Sequence, residues 1–167
     1  LTSGGNNYAI FYKNGDIDYY ENDIMKNYSL KNLKNVKLGY DFGLALDNLG
    51  DVYTFGNSFY GDEKVNSRLS KINISNIKSM TAGKDFAVFI DNNGSIWGLG
   101  ANNCGQLGTG DTKDADSPVS LKATDFTAND TAYKVSVGNG HNLFIKKDGT
   151  VWAWGENTYG QLGNGSN

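Results

Sequence analysis

Four times along this chain a short apolar run leads into a polar turn closed by glycine, and a second run follows in which large apolar residues recur at every other position. The clearest first runs are Phe86-Ala87-Val88-Phe89-Ile90 and His141-Asn142-Leu143-Phe144-Ile145, rich in the β-branched and aromatic types of buried strands. The turns are Asn14-Gly15, Leu49-Gly50, Asn93-Gly94 and Asp148-Gly149. Asn-Gly and Asp-Gly supply the positive φ of a tight hairpin, and Leu49-Gly50 is the weakest of the four. Past each turn, Tyr53 and Phe55, Trp97 and Leu99, and Trp152 and Trp154 share one face of a second strand. Large rings at period two predict a half-buried strand packed on a neighbouring sheet, with the tryptophans in the core. Val36-Lys37-Leu38, Met80-Thr81-Ala82 and Val135-Ser136-Val137 predict a further strand ahead of each unit. No segment has a helical period, so the class is all-β with antiparallel sheets.

A second glycine precedes each turn glycine by eleven positions, pairing Gly4 with Gly15, Gly39 with Gly50, Gly83 with Gly94 and Gly138 with Gly149. The interval between units grows from 35 to 44 to 55 residues. A rigid unit with a variable connection is the mark of a repeat protein, and the units run 4–38, 39–82, 83–137 and 138–167 within one repeat domain. Gly105-Gln106-Leu107-Gly108 and Gly160-Gln161-Leu162-Gly163 follow the last two tryptophan strands.

The stretch from Asp148 through Trp152, Trp154, Gly155 and Asn157 to Gly160-Gln161-Leu162-Gly163 resembles the signature of the regulator of chromosome condensation repeat family. Gly138 and His141 match the same pattern. The third unit is similar over its length, from Gly83 and Gly94 through Trp97, Gly100, Asn102, Gly105-Gln106-Leu107-Gly108 and Gly110 to Ser117-Pro118-Val119. The resemblance fades toward the N-terminus. Phe59-Tyr60-Gly61-Asp62 stands where the second unit would carry Gly-Gln-Leu-Gly, and Asp18 and Glu21 replace an aromatic and a glycine in the first. It implies a β-propeller, usually of seven four-stranded blades, of which this chain would supply about three and a half. It also implies that His141 is a packed, hydrogen-bonded structural residue.

Composition narrows the function classes. A net charge of −3 provides no basic field for nucleic acid. The single cysteine, Cys104, excludes an internal disulfide and reads as a residue without redox function. No apolar run approaches the roughly 20 residues of a membrane helix. With no initiator methionine or signal peptide, the chain reads as a piece of a longer protein.

Candidate chemistry is sparse. One histidine and one cysteine, 37 positions apart, form no metal or nucleophile motif. Ser75-Asn76-Ile77-Lys78 matches a Ser-x-x-Lys pattern but leads into a strand rather than a helical turn. Gly108-Thr109-Gly110 and Gly163-Asn164-Gly165 read as turns, since no helix follows to cradle a phosphate. Asp111, Asp114 and Asp116 lack the spacing of a calcium loop and read as a solvated acidic loop. No metal or cofactor is expected.

Binding is expected in the variable loops. Phe126 stands alone in a polar connector and is the leading contact anchor, with Asp111, Asp114 and Asp116 beside it and Phe59 and Tyr60 as a second pair. The preferred reading is a non-catalytic protein-interaction module of a larger bacterial protein, secreted or on the cell surface. The resemblance also allows a guanine-nucleotide exchange module for a small GTPase, or an inhibitor of a secreted enzyme. Because so few blades leave raw edges, self-association of two arcs is a further expectation.

Overall fold

The computed structural model describes residues 1–56, 66–121 and 132–166. The first sheet comprises β1 (Thr2–Gly4), β2 (Asn7–Phe11), β3 (Asp16–Glu21) and β4 (Ile24–Ser29). The second comprises β5 (Leu33–Leu38), β6 (Phe42–Asp47), β7 (Val52–Gly56) and β8 (Asn66–Lys71), and the third β9 (Ile77–Ala82), β10 (Phe86–Asp91), β11 (Ile96–Gly100) and β12 (Ala115–Ser120). The fourth has three strands, β13 (Ala132–Val137), β14 (His141–Lys146) and β15 (Val151–Gly155). Strand order follows chain order in every sheet, all pairings are antiparallel, and there is no helix among the described residues. Each sheet takes its first strand from the segment ahead of the paired glycines. The first strands of successive sheets lie side by side, so the sheets fan outward from an inner edge as an open arc.

Three apolar cores fill the junctions between sheets. Ile17, Tyr19 and Tyr28 meet Val36, Ala45 and Phe55 in the first, and Leu44, Leu46 and Val52 meet Met80, Phe89 and Leu99 in the second. Val88, Ile90 and Ile96 meet Val135 and Phe144 in the third. β6 and β10 are buried at every position, because each is covered on both faces. β14 alternates instead, and Leu143 and Ile145 of its apolar run are exposed. Composition suits that strand to a doubly covered position, but only the face toward the third sheet has a neighbour here.

The tryptophans sit at the junctions half-buried, Trp97 against the second core and Trp152 and Trp154 against the third. The first glycine of each pair answers a steric demand. A Cβ on Gly83 would overlap the Phe86 ring, and one on Gly138 would overlap His141. The His141 ring lies over Gly138, its side chain makes no hydrogen bond to another described residue, and it holds the place that Phe42 and Phe86 take in the sheets before it.

The hairpins differ in detail from Asn-Gly turns with two positive φ angles. Gly94 (φ 89°) is left-handed while Asn93 is not, and its amide bonds back to Asp91 while the Asp91 amide reaches Ser95. This is a three-residue loop closed by a glycine bulge. The buried Asp91 carboxylate accepts the Asn93 and Ser95 amides, each at 2.9 Å, and the Trp97 indole at 3.2 Å. Asp47 does the same for Leu49 and Asp51, both at 2.9 Å. The Leu49-Gly50 turn is thus held by a residue ahead of it. The two-residue hairpin is elsewhere, at Asn22-Asp23 between β3 and β4, where φ is 48° and 63°.

Candidate interaction surface

Antiparallel order puts the turns between first and second strands on the same rim as the loops between third and fourth strands. The turns are tied to one another by backbone. The Tyr40 amide donates to the Lys84 carbonyl at 3.0 Å, and the Lys84 amide to the Asn139 carbonyl at 3.1 Å. Asn7 Nδ2 donates to the Tyr40 carbonyl at 2.9 Å. Tyr40 itself is exposed, with the Lys84 ammonium 5.8 Å from its ring centroid. The rim is a fixed platform from which side chains project.

The Gly-Gln-Leu-Gly loop is organised by an asparagine. Asn102, fully buried, accepts the Leu107 amide at 2.8 Å and donates through Nδ2 to Thr109 Oγ1 and to the carbonyls of Asp111 and Lys113, each at 3.0 Å. The Gln106 side chain closes the turn by accepting the Cys104 amide and donating to Asn103. Leu107 is driven into the third core. The Gln106 carbonyl takes two bonds from the fourth sheet, from Asn142 Nδ2 at 2.8 Å and Trp154 Nε1 at 3.0 Å. In the fourth unit Asn157 repeats the cage, accepting Leu162 and donating to the Ser166 carbonyl, while Gln161 accepts Tyr159. Asn102, Asn142, Asp47 and Asp91 are the polar residues that sequence reasoning missed as a set. Asp47 and Asp91 recur three positions before Gly50 and Gly94, and Asn102 recurs with Asn157 eight positions after Gly94 and Gly149, which is the signal that marks them; Asn142 has no such counterpart.

Of the expected contact residues, Asp111 and Asp114 are on this rim. Asp111 Oδ1 accepts Thr109 Oγ1 at 2.8 Å and the Lys113 amide at 3.2 Å, and Asp114 Oδ1 accepts the Asn102 amide at 2.7 Å. Their carboxylates brace the loop from within. Asp116 is exposed on β12. Phe126, Phe59 and Tyr60 lie outside the described residues. Cys104 is exposed in the loop, and no group of three or more His, Cys, Asp or Glu able to hold a metal occurs among the described residues.

One buried polar cluster lies below the rim where the first two sheets meet. Tyr19 is fully buried, and its hydroxyl finds no partner among the described residues. Burial, reinforced by the nearby negative charges of Glu21 and Asp41, holds its pKa well above the ordinary 10.0. Glu21 pairs through one oxygen with Lys26 at 2.5 Å.

Two profiles described as the regulator of chromosome condensation (RCC1) repeat match this chain, one at residues 77–106 and 133–161 and the other at 93–145, together covering 77–161 without a gap. The chain belongs to this repeat family. The ultraviolet-B receptor UVR8 of Arabidopsis thaliana is 29% identical over 138 residues, covering 78% of this chain and 31% of the receptor. The mouse X-linked retinitis pigmentosa GTPase regulator is 41% identical over 64 residues, 38% of this chain and 6% of that protein. Among solved structures, human WBSCR16 superimposes with a TM-score of 0.83 at 18% identity, over 99% of this chain and 50% of that one. Yeast Prp20p, whose structure was described with its binding to Gsp1p and histones, gives 0.79 at 17% identity over 94% and 43%. The chain thus spans half or less of each of these relatives, and its open arc of antiparallel sheets matches part of an RCC1-type propeller.

Proposed function

We propose that this chain is a non-catalytic protein-protein interaction module within a larger protein. The carrying observation is the rim on which the turns at Tyr40, Lys84 and Asn139 are locked by backbone bonds while the loops beside them differ from sheet to sheet. A surface that is rigid underneath and variable on top binds without spending affinity on ordering itself. Tyr40 and Asp116 are the exposed anchors on this rim, and Phe126 is a separate contact residue proposed from its sequence context alone. A secreted or cell-surface bacterial setting belongs to the same reading; asparagine-rich composition supports it.

Regulation of a small GTPase is the second reading, favoured by the mouse relative named as a GTPase regulator. Cross-linking capture from the source cells with wild type, Tyr40→Ala, Asp116→Lys and Phe126→Ala tests the first reading. A partner recovered by wild type and reduced by at least one variant is expected, and equal recovery by all four removes these residues from the proposal. Accelerated nucleotide release from a captured GTPase would replace the first reading with the second.

A further inference from the structure

Asparagine is followed by glycine at Asn14-Gly15, Asn93-Gly94, Asn139-Gly140 and Asn164-Gly165. In such a pair the glycine nitrogen can attack the side-chain carbonyl of the asparagine, because no Cβ on the second residue blocks the approach. Both groups must be at liberty. The asparagine side chain has to swing onto the main chain, and the glycine amide has to be released from any partner.

The fold restrains three of these pairs. Asn14 donates through Nδ2 to Asp16 Oδ2 at 2.6 Å, and the Gly15 amide donates to the Tyr12 carbonyl at 3.0 Å. The Gly94 amide donates to the Asp91 carbonyl at 3.0 Å. Asn164 Oδ1 accepts the Ser166 hydroxyl at 2.8 Å and its amide at 3.1 Å. Asn139 differs. It is exposed, its side chain bonds to no other described residue, and the Gly140 amide has no acceptor among the described residues.

A carboxylate stands beside this pair. The Glu156 amide donates to the Gly140 carbonyl at 2.9 Å, which brings the half-buried Glu156 alongside Gly140. A Cβ on Gly140 would lie 2.8 Å from Glu156 Oε2, so that oxygen is within direct or one-water reach of the Gly140 nitrogen. In the third sheet Ala101 takes the place of Glu156, its amide donating to the Asp85 carbonyl at 2.9 Å. Gly5-Asn6, Tyr40-Asp41 and Lys84-Asp85 stand at the corresponding turns, so the fourth unit alone joins asparagine, glycine and a neighbouring carboxylate there.

We propose that Asn139-Gly140 is a self-modification site, at which the chain closes a succinimide ring with Glu156 as general base. The Gly140 nitrogen bonds to Asn139 Cγ as Glu156 takes its proton. The Cγ–Nδ2 bond then breaks, and the departing nitrogen collects that proton and leaves as ammonia. Water opens the ring at one of its two carbonyls to give aspartate or isoaspartate, with no change in oxidation state. Either product adds a negative charge to the rim. Isoaspartate also routes the main chain through Cβ and Cγ, and the Asn139 carbonyl that accepts the Lys84 amide at 3.1 Å becomes part of a free carboxylate.

The test is to incubate the purified 167-residue chain at neutral pH and follow the four asparagines by peptide mass spectrometry, with electron-transfer fragmentation separating isoaspartate from aspartate. Asn139 converts about tenfold faster than Asn14, Asn93 or Asn164, since each of those pairs must first give up a hydrogen bond. In denaturant the four rates converge. Glu156→Gln keeps the shape of the side chain and slows conversion of Asn139 by about tenfold, leaving the other three sites unchanged. Hydrogen exchange at the Lys84 amide quickens in the converted protein. Asn139 reacting no faster than the other three in the folded wild type overturns the site, whatever the variant does. A preference that persists in denaturant belongs to the local sequence and overturns it too, and an unchanged rate in folded Glu156→Gln overturns the base.

Discussion

The indole Nε1 of Trp154 donates to the carbonyl oxygen of Gln106 across 3.0 Å, tying the fourth sheet to the loop of the third. The bond makes this tryptophan a fastener as well as a core residue. Trp154→Phe keeps an aromatic ring but removes the donor, leaving Asn142 to hold the carbonyl alone. A loss of about 1–2 kcal/mol is expected from the missing bond and the smaller ring, read as a lower urea midpoint with unchanged slope.

The asparagine cages predict a contrast between equivalent residues. Asn102 is fully buried and serves the Leu107 amide, Thr109 and two carbonyls, whereas Asn157 makes the same cage in an exposed loop. Asn102→Ala strands several polar groups away from water and should cost about 3 kcal/mol, while Asn157→Ala should cost less than about 1 kcal/mol. Equal midpoints for the two variants would contradict the cage as the reason for the loop's order.

At the second hairpin the aspartate, not the residue beside the glycine, should decide stability. Asp47→Ala frees the Leu49 and Asp51 amides and is expected to cost about 2 kcal/mol. Leu49→Asn, which turns the pair into Asn-Gly, should change stability by no more than about 0.5 kcal/mol, as an exposed substitution does. Thermal unfolding of both variants checks this.

Tyr19 gives the chain an alkaline limit. Its hydroxyl must stay neutral in the folded state, yet it ionises near 10.0 once the chain unfolds. The unfolded form therefore releases a proton that the folded form keeps, so the Tyr19 contribution to stability is level below pH 10.0 and falls as pH rises above it. Tyr19→Phe should move alkaline unfolding to higher pH and leave stability at pH 7 within about 1 kcal/mol of wild type or above it, since the lost hydroxyl has no partner. Stability at both pH values is the measurement.

Strands and turns were legible in the sequence because their signals are local. Alternation at Trp152 and Trp154, the run from Phe86 to Ile90 and the positive φ of Gly94 depend on neighbours a few positions away. What escaped depends on atoms far along the chain. Asn142 looks like a polar interruption in an apolar strand until the Gln106 carbonyl, 36 positions back, is seen to need its amide. Composition likewise marked Leu143 and Ile145 as core, but burial requires a neighbouring sheet, and strand composition does not say whether one is there. Asp111 and Asp114 read as a solvated loop for a similar reason. Their role in bracing Asn102 and the Lys113 amide depends on how the loop folds back on itself.

The links between inner turns all point one way, from the Tyr40 amide to the Lys84 carbonyl and from the Lys84 amide to the Asn139 carbonyl. A sheet added by duplication meets a donor behind it and an acceptor ahead, so it takes its place without matched changes in its neighbours. Backbone atoms are indifferent to residue identity, and Tyr40, Lys84 and Asn139 differ in side chain at one equivalent position. Repeats so unlike in side chain can therefore keep a common pitch.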